Sequence, residues 1–179
     1  MSSASKYEHH YTYDDYCLWE GTWELIKGIR YAMIPKPDPQ HQNANGNLYA
    51  AFKDALAKSC RSCKVYLPID WKIAEDTIVQ PDLLIVCDKI EKKYLDFPPV
   101  LVVEILSPST ASKDRGEKME LYQQQQVKYY VFVDPHFKKV EIHEFVNGQY
   151  EPIAVNPETY PFALDSDCTA DVSLLDIWE

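Results

Sequence analysis

The segment VLVVEILSPST, residues 100–110, constrains the fold of this chain more than any other. Its apolar run is continuous enough to be a strand that is covered on both faces, which is typical of the centre of an α/β sheet. Glu104 stands in the middle of that run. Burial without a hydrogen-bond partner costs roughly 2–7 kcal/mol even for a neutral polar group. Glu104 is therefore expected to have a cationic partner inside the fold.

Other apolar runs of strand length recur along the chain. DLLIVC, VLVVEIL and YYVFVD do not alternate with polar residues, which indicates central strands. Asn147-Gly148 is a strong hairpin signal, and Lys27-Gly28 predicts a second hairpin in TWELIKGIRYAMIP. Strands are predicted at residues 64–69, 82–87, 100–106 and 129–134 and in these two hairpins.

Helices are predicted from the spacing of apolar residues. Residues 41–58 repeat apolar side chains at helical intervals. SKDRGEKMELYQQQQ, between two central strands, predicts another helix, with Asp114 and Glu117 resembling a capping box at its start. A short helix is predicted at 14–20. Together the elements predict an α/β fold with a central mixed β-sheet flanked by helices and extra β-hairpins.

The ends of the chain are predicted to be less regular than its middle. A single domain over residues 1–179 is the simplest organisation for this length. Residues 1–13 are predicted to be a flexible N-terminus, and residues 156–179 an irregular, acidic tail docked by its apolar finish LLDIW. No run approaches the ~18 apolar residues of a membrane span, and no apolar secretion signal is visible, so a cytoplasmic protein without a membrane partner is expected.

The five cysteines are an odd number scattered over the chain, which is not typical of a disulfide framework. Free thiols in a reducing compartment are expected. Cys60 and Cys63 form one CxxC, but a structural zinc site needs four ligands, and no second CxxC or histidine pair stands at a suitable spacing. The favoured interpretation is two small residues near a helix end, with metal binding as the weaker alternative.

The acidic balance of the chain bears on its partners. The net charge is −10, and from Glu151 onward there are seven acidic residues and no Lys or Arg, which leaves −3 for residues 1–150. Non-specific binding to a polyanion is therefore excluded, because such binding rests on Lys and Arg. A nucleic-acid substrate remains possible.

Asp82 and Glu104 are predicted to be neighbours. If the strands at 82–87 and 100–106 pair antiparallel, the start of the first lies beside the end of the second. Two buried carboxylates repel each other unless a cation lies between them, and oxygen ligands suit Mg²⁺ or Mn²⁺. Lys118 shares a helical stripe with Leu121 and Tyr122, so it should face the same point of the sheet.

This set of residues allows two interpretations. A carboxylate-bound metal can polarise a phosphate and acidify a water, while an ammonium stabilises developing negative charge. Alternatively, Glu104 and Lys118 form a buried ion pair, and Asp82 only caps a turn after Pro81. The pattern of residues alone does not favour one over the other.

Pro81-Asp82, followed by a strand glutamate at position 104, resembles the signature of the PD-(D/E)XK, or restriction-endonuclease-like, nuclease superfamily. The similarity is closest to a bacterial branch of endonuclease-like proteins of unknown function, and it extends over residues 15–155. The segments that carry it are WELIKG, the helix start at His41, QPDLLIVCD, PPVLVVEILSPSTASKDRGEKMELYQQQQVKYYVFVDP and the final hairpin.

The resemblance implies roles for individual residues. Asp82 and Glu104 would be metal ligands, with the backbone carbonyl of Ile105 as a third. The superfamily expects a lysine at position 106, where this chain has leucine, and Lys118 is the candidate replacement. Glu24 matches an upstream acidic residue that some members add to the metal site, although a solvated strand glutamate is the simpler interpretation.

The function implied is that of a Mg²⁺- or Mn²⁺-dependent DNA endonuclease. The alternative is a catalytically inactive nuclease-like binding or assembly module, in which the charged cluster is structural. A homodimer is expected from the family resemblance and from aromatic residues near the N-terminus, taken as exposed. His41 is interpreted as a capping or surface residue, with a role near the cleft as the alternative. The hydroxyls of SPST are interpreted as a turn and not as nucleophiles.

Overall fold

A computed structural model describes residues 9–33 and 37–179 of the chain. The strands in this part are β1 (Trp23–Ile26), β2 (Ile29–Ala32), β3 (Lys64–Tyr66), β4 (Trp71–Ala74), β5 (Thr77–Val79), β6 (Leu83–Val86), β7 (Leu101–Ile105), β8 (Tyr129–Asp134), β9 (Lys139–Val146), β10 (Gln149–Val155), β11 (Thr159–Asp165) and β12 (Cys168–Ser173). The helices are α1 (Tyr13–Tyr16), α2 (Pro39–Ser59), α3 (Ala111–Arg115) and α4 (Glu117–Gln124).

The centre of the fold is a mixed sheet with the strand order β10-β9-β8-β7-β6-β3. Its strands pair antiparallel except β7 and β8, which are parallel because the connection through α3 and α4 returns the chain to the same end of the sheet. Every residue of β6 and β7 is buried, as their unbroken apolar runs predict. The predicted central order of two strands, a helical connection and a third strand is confirmed.

Each face of the central sheet is covered by a different layer. On one face, α2 and the hairpin of β11 and β12 pack on the sheet, with the Phe52 and Phe162 rings 5.5 Å apart. On the other face lie α4 and a second sheet of order β2-β1-β5-β4. Trp71 of that second sheet stacks on Tyr122 of α4 at 5.5 Å.

Helix α2 begins slightly earlier than its predicted start at His41. The side chain of Asp38 accepts a hydrogen bond from the His41 amide at 2.8 Å, and Pro39 occupies the first turn, where its missing N–H costs nothing. The three prolines of PKPDPQ, residues 35–40, predict a loop, which is wrong for Pro39 and Gln40, while residues 35 and 36 lie outside the described part of the chain. Leu48 and Phe52 are buried, as the helical spacing predicts.

The prediction for the C-terminal tail, residues 156–179, is wrong about its conformation and correct about its packing on the core. Residues 159–173 form the antiparallel hairpin of β11 and β12. Buried and exposed residues alternate along β12, so one face of the hairpin joins the core. The apolar finish also docks, because Leu174 and Ile177 are both buried.

The predicted helix after β7 is divided at Gly116, and Asp114 is not its cap. Thr110 is the N-cap of α3, Gly116 lies between the helices, and Asp114 is a buried residue inside α3. A Cβ at Gly116 would lie 3.0 Å from the Ser112 carbonyl oxygen, which is tighter than most Cβ contacts, so any other residue would require that carbonyl to shift. The short N-terminal helix also starts earlier than predicted, with Thr12 as N-cap.

The N-terminal prediction is tested only in part. Residues 1–8, including Tyr7, lie outside the described residues. The Tyr11 amide donates a hydrogen bond to the Gly28 carbonyl at 2.9 Å, which ties residues 9–13 to the first hairpin. The aromatic residues taken as exposed are half-buried where described, because they pack on one another, as Tyr11 and Trp19 do at 5.1 Å.

The prediction of free thiols is wrong for four of the five cysteines. Cys60 is bonded to Cys168, and Cys63 to Cys87, while Cys17 is free and exposed. The partners are far apart in sequence, so spacing could not reveal them.

None of the helices in the described part of the chain has the length and apolarity that a bilayer-spanning helix requires.

Candidate active site

Asp82 and Glu104 come together at the edge between β6 and β7. The antiparallel register pairs Leu83 with Val103, so the next pair outward is Asp82 with Glu104. The amide of Ile105 donates a hydrogen bond to Asp82 Oδ2 at 2.8 Å. The predicted antiparallel pairing is confirmed, and it places the two carboxylates side by side.

The burial of Glu104 is explained by side chains from α4. Its Oε1 accepts hydrogen bonds from Lys118 Nζ and from the Tyr122 hydroxyl, each at 2.8 Å. Lys118, Leu121 and Tyr122 are all buried, as their shared helical stripe predicts. The Glu104 carboxylate therefore has hydrogen-bond partners, although it lies in the middle of an apolar strand.

Lys118 is the cationic centre of this cluster and is only 1% exposed. Besides Glu104, its Nζ lies 2.7 Å from Glu24 Oε1 and 3.6 Å from Asp114 Oδ1. Burial alone would lower the pKa of Lys118, but the surrounding carboxylates outweigh it and raise that pKa well above its usual value. Lys118 is therefore a permanent ammonium inside the fold.

Glu24, on β1, is fully buried and faces the same cluster. Its Oε1 also accepts a hydrogen bond from the Gln80 amide at 3.0 Å, and its Oε2 pairs with Lys113 Nζ. Burial raises the pKa of Glu24, but Lys118 and Lys113 outweigh it and hold that pKa below its usual value. Its interpretation as a solvated strand residue is wrong, and its role as a metal ligand stays a prediction.

The cluster carries more negative than positive charge. Four carboxylates, of Glu24, Asp82, Glu104 and Asp114, face two ammonium groups, of Lys113 and Lys118. Burial raises the pKa of Glu104 well above its usual value, and the charges of Asp114, Asp82 and Glu24 raise it further against the opposing effect of Lys118.

A divalent cation beside Asp82 and Glu104 would offset this surplus. The oxygen donors present are those that Mg²⁺ and Mn²⁺ prefer. In the described residues, no group of three or more His, Cys, Asp or Glu side chains is arranged to hold a metal without further contributions. The donor set fits a hard cation that also takes backbone carbonyl, water or substrate oxygens.

His41 lies in the cleft and not on the surface. It is 9% exposed, and its Nε2 lies 3.4 Å from Asp82 Oδ2. Burial lowers the pKa of His41, but the hydrogen bond and charge of Asp82 outweigh it, so the net shift is upward. A hydrogen bond to the Ile105 backbone acts in the same direction. Its Nδ1 is buried and has no hydrogen-bond partner in the described residues.

One cavity of about 1230 Å³ is lined by most of these groups, namely His41, Asp82, Glu104, Lys113, Asp114 and Lys118. That volume exceeds the roughly 300–1,000 Å³ of a typical small-molecule pocket. The SPST turn contributes its hydroxyls to the wall, and Ser107 Oγ lies 3.0 Å from Ser109 Oγ and 3.1 Å from Thr110 Oγ1. The turn interpretation of SPST is consistent with these local bonds.

Sequence reasoning missed three members of the cluster. Tyr122 shares the stripe of Lys118, so its bond to Glu104 could have been inferred. Asp114 was taken for a cap because its partner Glu117 fits a capping pattern. The pairing of Lys113 with Glu24 joins residues far apart in sequence, and no local pattern signals it.

Comparison with known proteins bears on the family and the fold of the chain. A family model described as Uma2, "Putative restriction endonuclease", matches residues 12–173. A solved structure of a putative nuclease of DUF820 from Anabaena variabilis ATCC 29413 superposes with a TM-score of 0.73 at 16% identity, covering 93% of this chain and 97% of that one. The superposition confirms the predicted restriction-endonuclease-like fold.

A curated relative matches a shorter stretch. The uncharacterized protein slr1290 of Synechocystis sp. (strain ATCC 27184 / PCC 6803 / Kazusa) is 50% identical over 44 residues. That stretch is 24% of this chain and 23% of the Synechocystis protein, so the chain spans about a quarter of that relative's length.

Proposed function

Because the chain belongs to the Uma2 family, whose fold is that of restriction endonucleases, we propose that it is a Mg²⁺- or Mn²⁺-dependent DNA endonuclease. One observation carries the proposal: Asp82 and Glu104 occupy adjacent positions on paired strands, beside the buried ammonium of Lys118, in a wide cavity. A purely structural core would not require two carboxylates at the same register position.

The metal ligands in this proposal are the carboxylates of Asp82 and Glu104 and the backbone carbonyl of Ile105. A metal held there supplies a Lewis acid that polarises the scissile phosphate and acidifies a water molecule. The hydrogen bond from the Ile105 amide fixes the orientation of Asp82 toward the cavity. Glu24 is better explained as the partner that orients Lys118 and Lys113.

Lys118 takes the place of the lysine that the superfamily has two residues after its glutamate. Leu106 occupies that position and is buried among apolar side chains. The Lys118 ammonium lies 2.8 Å from Glu104, so it is close enough to orient a water beside that carboxylate and to stabilise negative charge on the phosphate. A charged ammonium at Lys118 suits the second task.

A DNA substrate is consistent with the walls of the cavity. Hydroxyls of Ser107, Ser109 and Thr110 can donate hydrogen bonds to phosphate oxygens, which position a nucleic acid without reading its sequence. Most of the excess negative charge lies beyond residue 150. The charge of the whole chain therefore does not represent the charge at the cleft.

One observation favours a second candidate, a catalytically inactive binding or assembly module. Lys118 contacts three carboxylates at once, as a structural ion-pair network would. Buried networks of this kind are often replaceable by apolar side chains without loss of stability. A variant with apolar residues at 24, 104, 114 and 118 that folds as stably as the wild type would favour this candidate.

The homodimer and the cytoplasmic location also belong to this proposal. Leu18, at the end of α1, is 82% exposed beside the aromatic cluster, which suits contact with a second copy. Analytical ultracentrifugation of the wild type and Leu18→Glu tests the dimer. A wild-type monomer at micromolar concentration contradicts it.

The nuclease is tested with supercoiled plasmid and branched DNA in Mg²⁺ or Mn²⁺. We expect the wild type and Glu151→Gln, an exposed position on β10 that does not line the cavity, to nick these substrates, and Glu104→Gln to be inactive. The control excludes a contaminating nuclease, because all three proteins are purified identically. Equal cleavage by Glu104→Gln would reject the assignment of the site.

A further inference from the structure

Four of the five cysteine sulfurs meet in one cluster at the end of β6 opposite to Asp82. Cys60 caps the C-terminal end of α2, Cys63 precedes β3, Cys87 follows β6, and Cys168 opens β12. The cluster and the carboxylates are separated by the length of β6, roughly 16 Å at ~3.3 Å per residue. The cysteines therefore belong to no part of the cleft.

The two disulfides of this cluster are in contact with each other. Cys63 Sγ lies 3.6 Å from Cys168 Sγ, although the two belong to different bridges. In a tetrahedral zinc site with Zn–S bonds of about 2.3 Å, neighbouring sulfurs lie about 3.8 Å apart. Two separate disulfides do not need to be in contact, whereas the four sulfur ligands of one zinc ion must lie this close to one another.

We infer that in the reduced chain Cys60, Cys63, Cys87 and Cys168 bind one Zn²⁺ as a structural tetrathiolate site. Each disulfide is reduced to two thiols either by two thiol molecules, which become a disulfide, or by one phosphine and one water, which become a phosphine oxide. Zn²⁺ then displaces the four thiol protons and binds four thiolates. While the sulfurs are paired, they offer no metal site, in agreement with the absence of a ready cage in the described residues.

The local structure fits thiolate ligands. The Cys63 amide donates to the Cys60 carbonyl at 3.0 Å, which closes the tight CxxC turn that is common in zinc sites. The hydroxyls of Ser59 and Ser62 lie 3.8 Å from Cys60 Sγ and 4.0 Å from Cys63 Sγ. Such outer hydrogen bonds orient and stabilise metal-bound thiolates.

The charge of the site is also compensated. Four thiolates and Zn²⁺ together carry a charge of about −2. Arg61 lies inside the CxxC turn and Lys64 directly follows it, and both are exposed. The metal would join α2, β6 and the β11–β12 hairpin, since each supplies or adjoins at least one ligand.

The test is the zinc content of protein purified in a phosphine reductant without chelator. We expect one zinc per chain in the wild type and in Cys17→Ser, which removes the exposed free cysteine, and none in Cys87→Ser or Cys168→Ser. Wild-type protein that carries no zinc, either with all five thiols reactive or with both disulfides intact, overturns the inference, and so does unchanged zinc in both ligand variants.

Cobalt substitution keeps the test independent of whether the variants fold. Co²⁺ added to the reduced, zinc-free wild type should give the thiolate-to-cobalt charge-transfer and tetrahedral d–d absorption bands, and Zn²⁺ should abolish them. An octahedral, oxygen-type spectrum contradicts the inference. Glu104→Gln should give the same cobalt spectrum, so loss of the nuclease site and loss of the zinc site are distinguishable.

Discussion

Glu104 shows how one residue can carry both the stability and the chemistry of a site. Its carboxylate tolerates burial in β7 because Lys118 and Tyr122 bind the same oxygen. The apolar run around it predicted the strand, and the glutamate within that run predicted the cation. The residue that breaks the hydrophobic pattern was therefore the most informative one in the sequence.

Lys118→Met tests the electrostatic role of the lysine. The methionine keeps the apolar stem but leaves Glu24, Glu104 and Asp114 without their shared cation, so we expect the free energy of unfolding to fall by about 3–5 kcal/mol. Urea unfolding measures it. Lys92→Met, at a side chain that is 55% exposed and paired with Asp96, should leave the same quantity nearly unchanged, because solvent screens an exposed pair. Equal effects would contradict the account.

The Arg115–Glu141 pair gives a pH-dependent prediction. The guanidinium holds the pKa of Glu141 at about 2, below its usual 4.5, so the stabilisation is complete above pH 4.5 and is lost as the pH falls toward 2. Glu141→Gln should lower the free energy of unfolding by about 1 kcal/mol at pH 7, because Arg115 is partly exposed and solvent screens the pair.

This difference should shrink as unfolding is measured at successively lower pH. Glu151→Gln is the control, since Glu151 is exposed and forms no ion pair with the described residues. A difference for Glu141→Gln that stays constant from pH 7 to pH 3 would show that the ion pair is not its source.

Residue-level reasoning succeeded where local patterns determine contacts and failed where the fold determines them. The proximity of Asp82 to Glu104 follows from the antiparallel pairing of their strands, and the burial of Lys118 follows from helical spacing. His41 reaches the cleft only because α2 crosses the sheet at that point, and Lys113 meets Glu24 only because a second sheet packs there. No short-range signal encodes either contact.

At the level of elements, the division between α3 and α4 depends on Gly116. Gly116→Ala should lower the free energy of unfolding by about 1–3 kcal/mol, because the new Cβ would press on the Ser112 carbonyl. Gly46→Ala, within α2 and with open space around the new Cβ, should raise it by about 0.5–1 kcal/mol. Thermal unfolding of both variants checks the opposite signs. Stabilisation by both substitutions would mean that α3 and α4 can form one continuous helix.

The β11–β12 hairpin is predicted to be an integral part of the core. Phe162 is fully buried between Phe52 and Tyr129, so Phe162→Ala should cost about 3–5 kcal/mol in urea unfolding. Phe137→Ala removes the same side chain where it is 74% exposed and should cost no more than ~0.5 kcal/mol. A small loss at Phe162 would show that the hairpin docks only loosely.

Elements were predictable where their apolar runs were long. The strands of the central sheet and α2 lie close to their predicted positions. β4 and β5 are short and lie among polar residues, and the acidic residues of 159–173 concealed an alternating pattern in which only one face is apolar. The prediction for residues 159–173 followed their acidic composition, whereas the alternation of apolar and polar residues would have indicated the two strands.

At the scale of the whole molecule, two charged or reactive clusters lie at opposite ends of β6. The carboxylates converge through neighbouring strands, whereas the cysteines converge from three distant segments. The CxxC was judged incomplete because Cys87 and Cys168 stand alone in the sequence. The pairing of β3 with β6 brings Cys87 to it, and the packing of the β11–β12 hairpin against α2 brings Cys168.

Mn²⁺ binding measured by electron paramagnetic resonance tests directly whether Asp82 and Glu104 together hold a divalent cation. The measurement requires no knowledge of the DNA substrate. Mn²⁺ prefers oxygen ligands, so the cysteine cluster does not compete. We predict one Mn²⁺ per chain in the wild type and in Glu151→Gln, with affinity reduced more than about 10-fold in Asp82→Asn and in Glu104→Gln. Unchanged Mn²⁺ affinity in both ligand variants, or no binding by the folded wild type, would contradict the account.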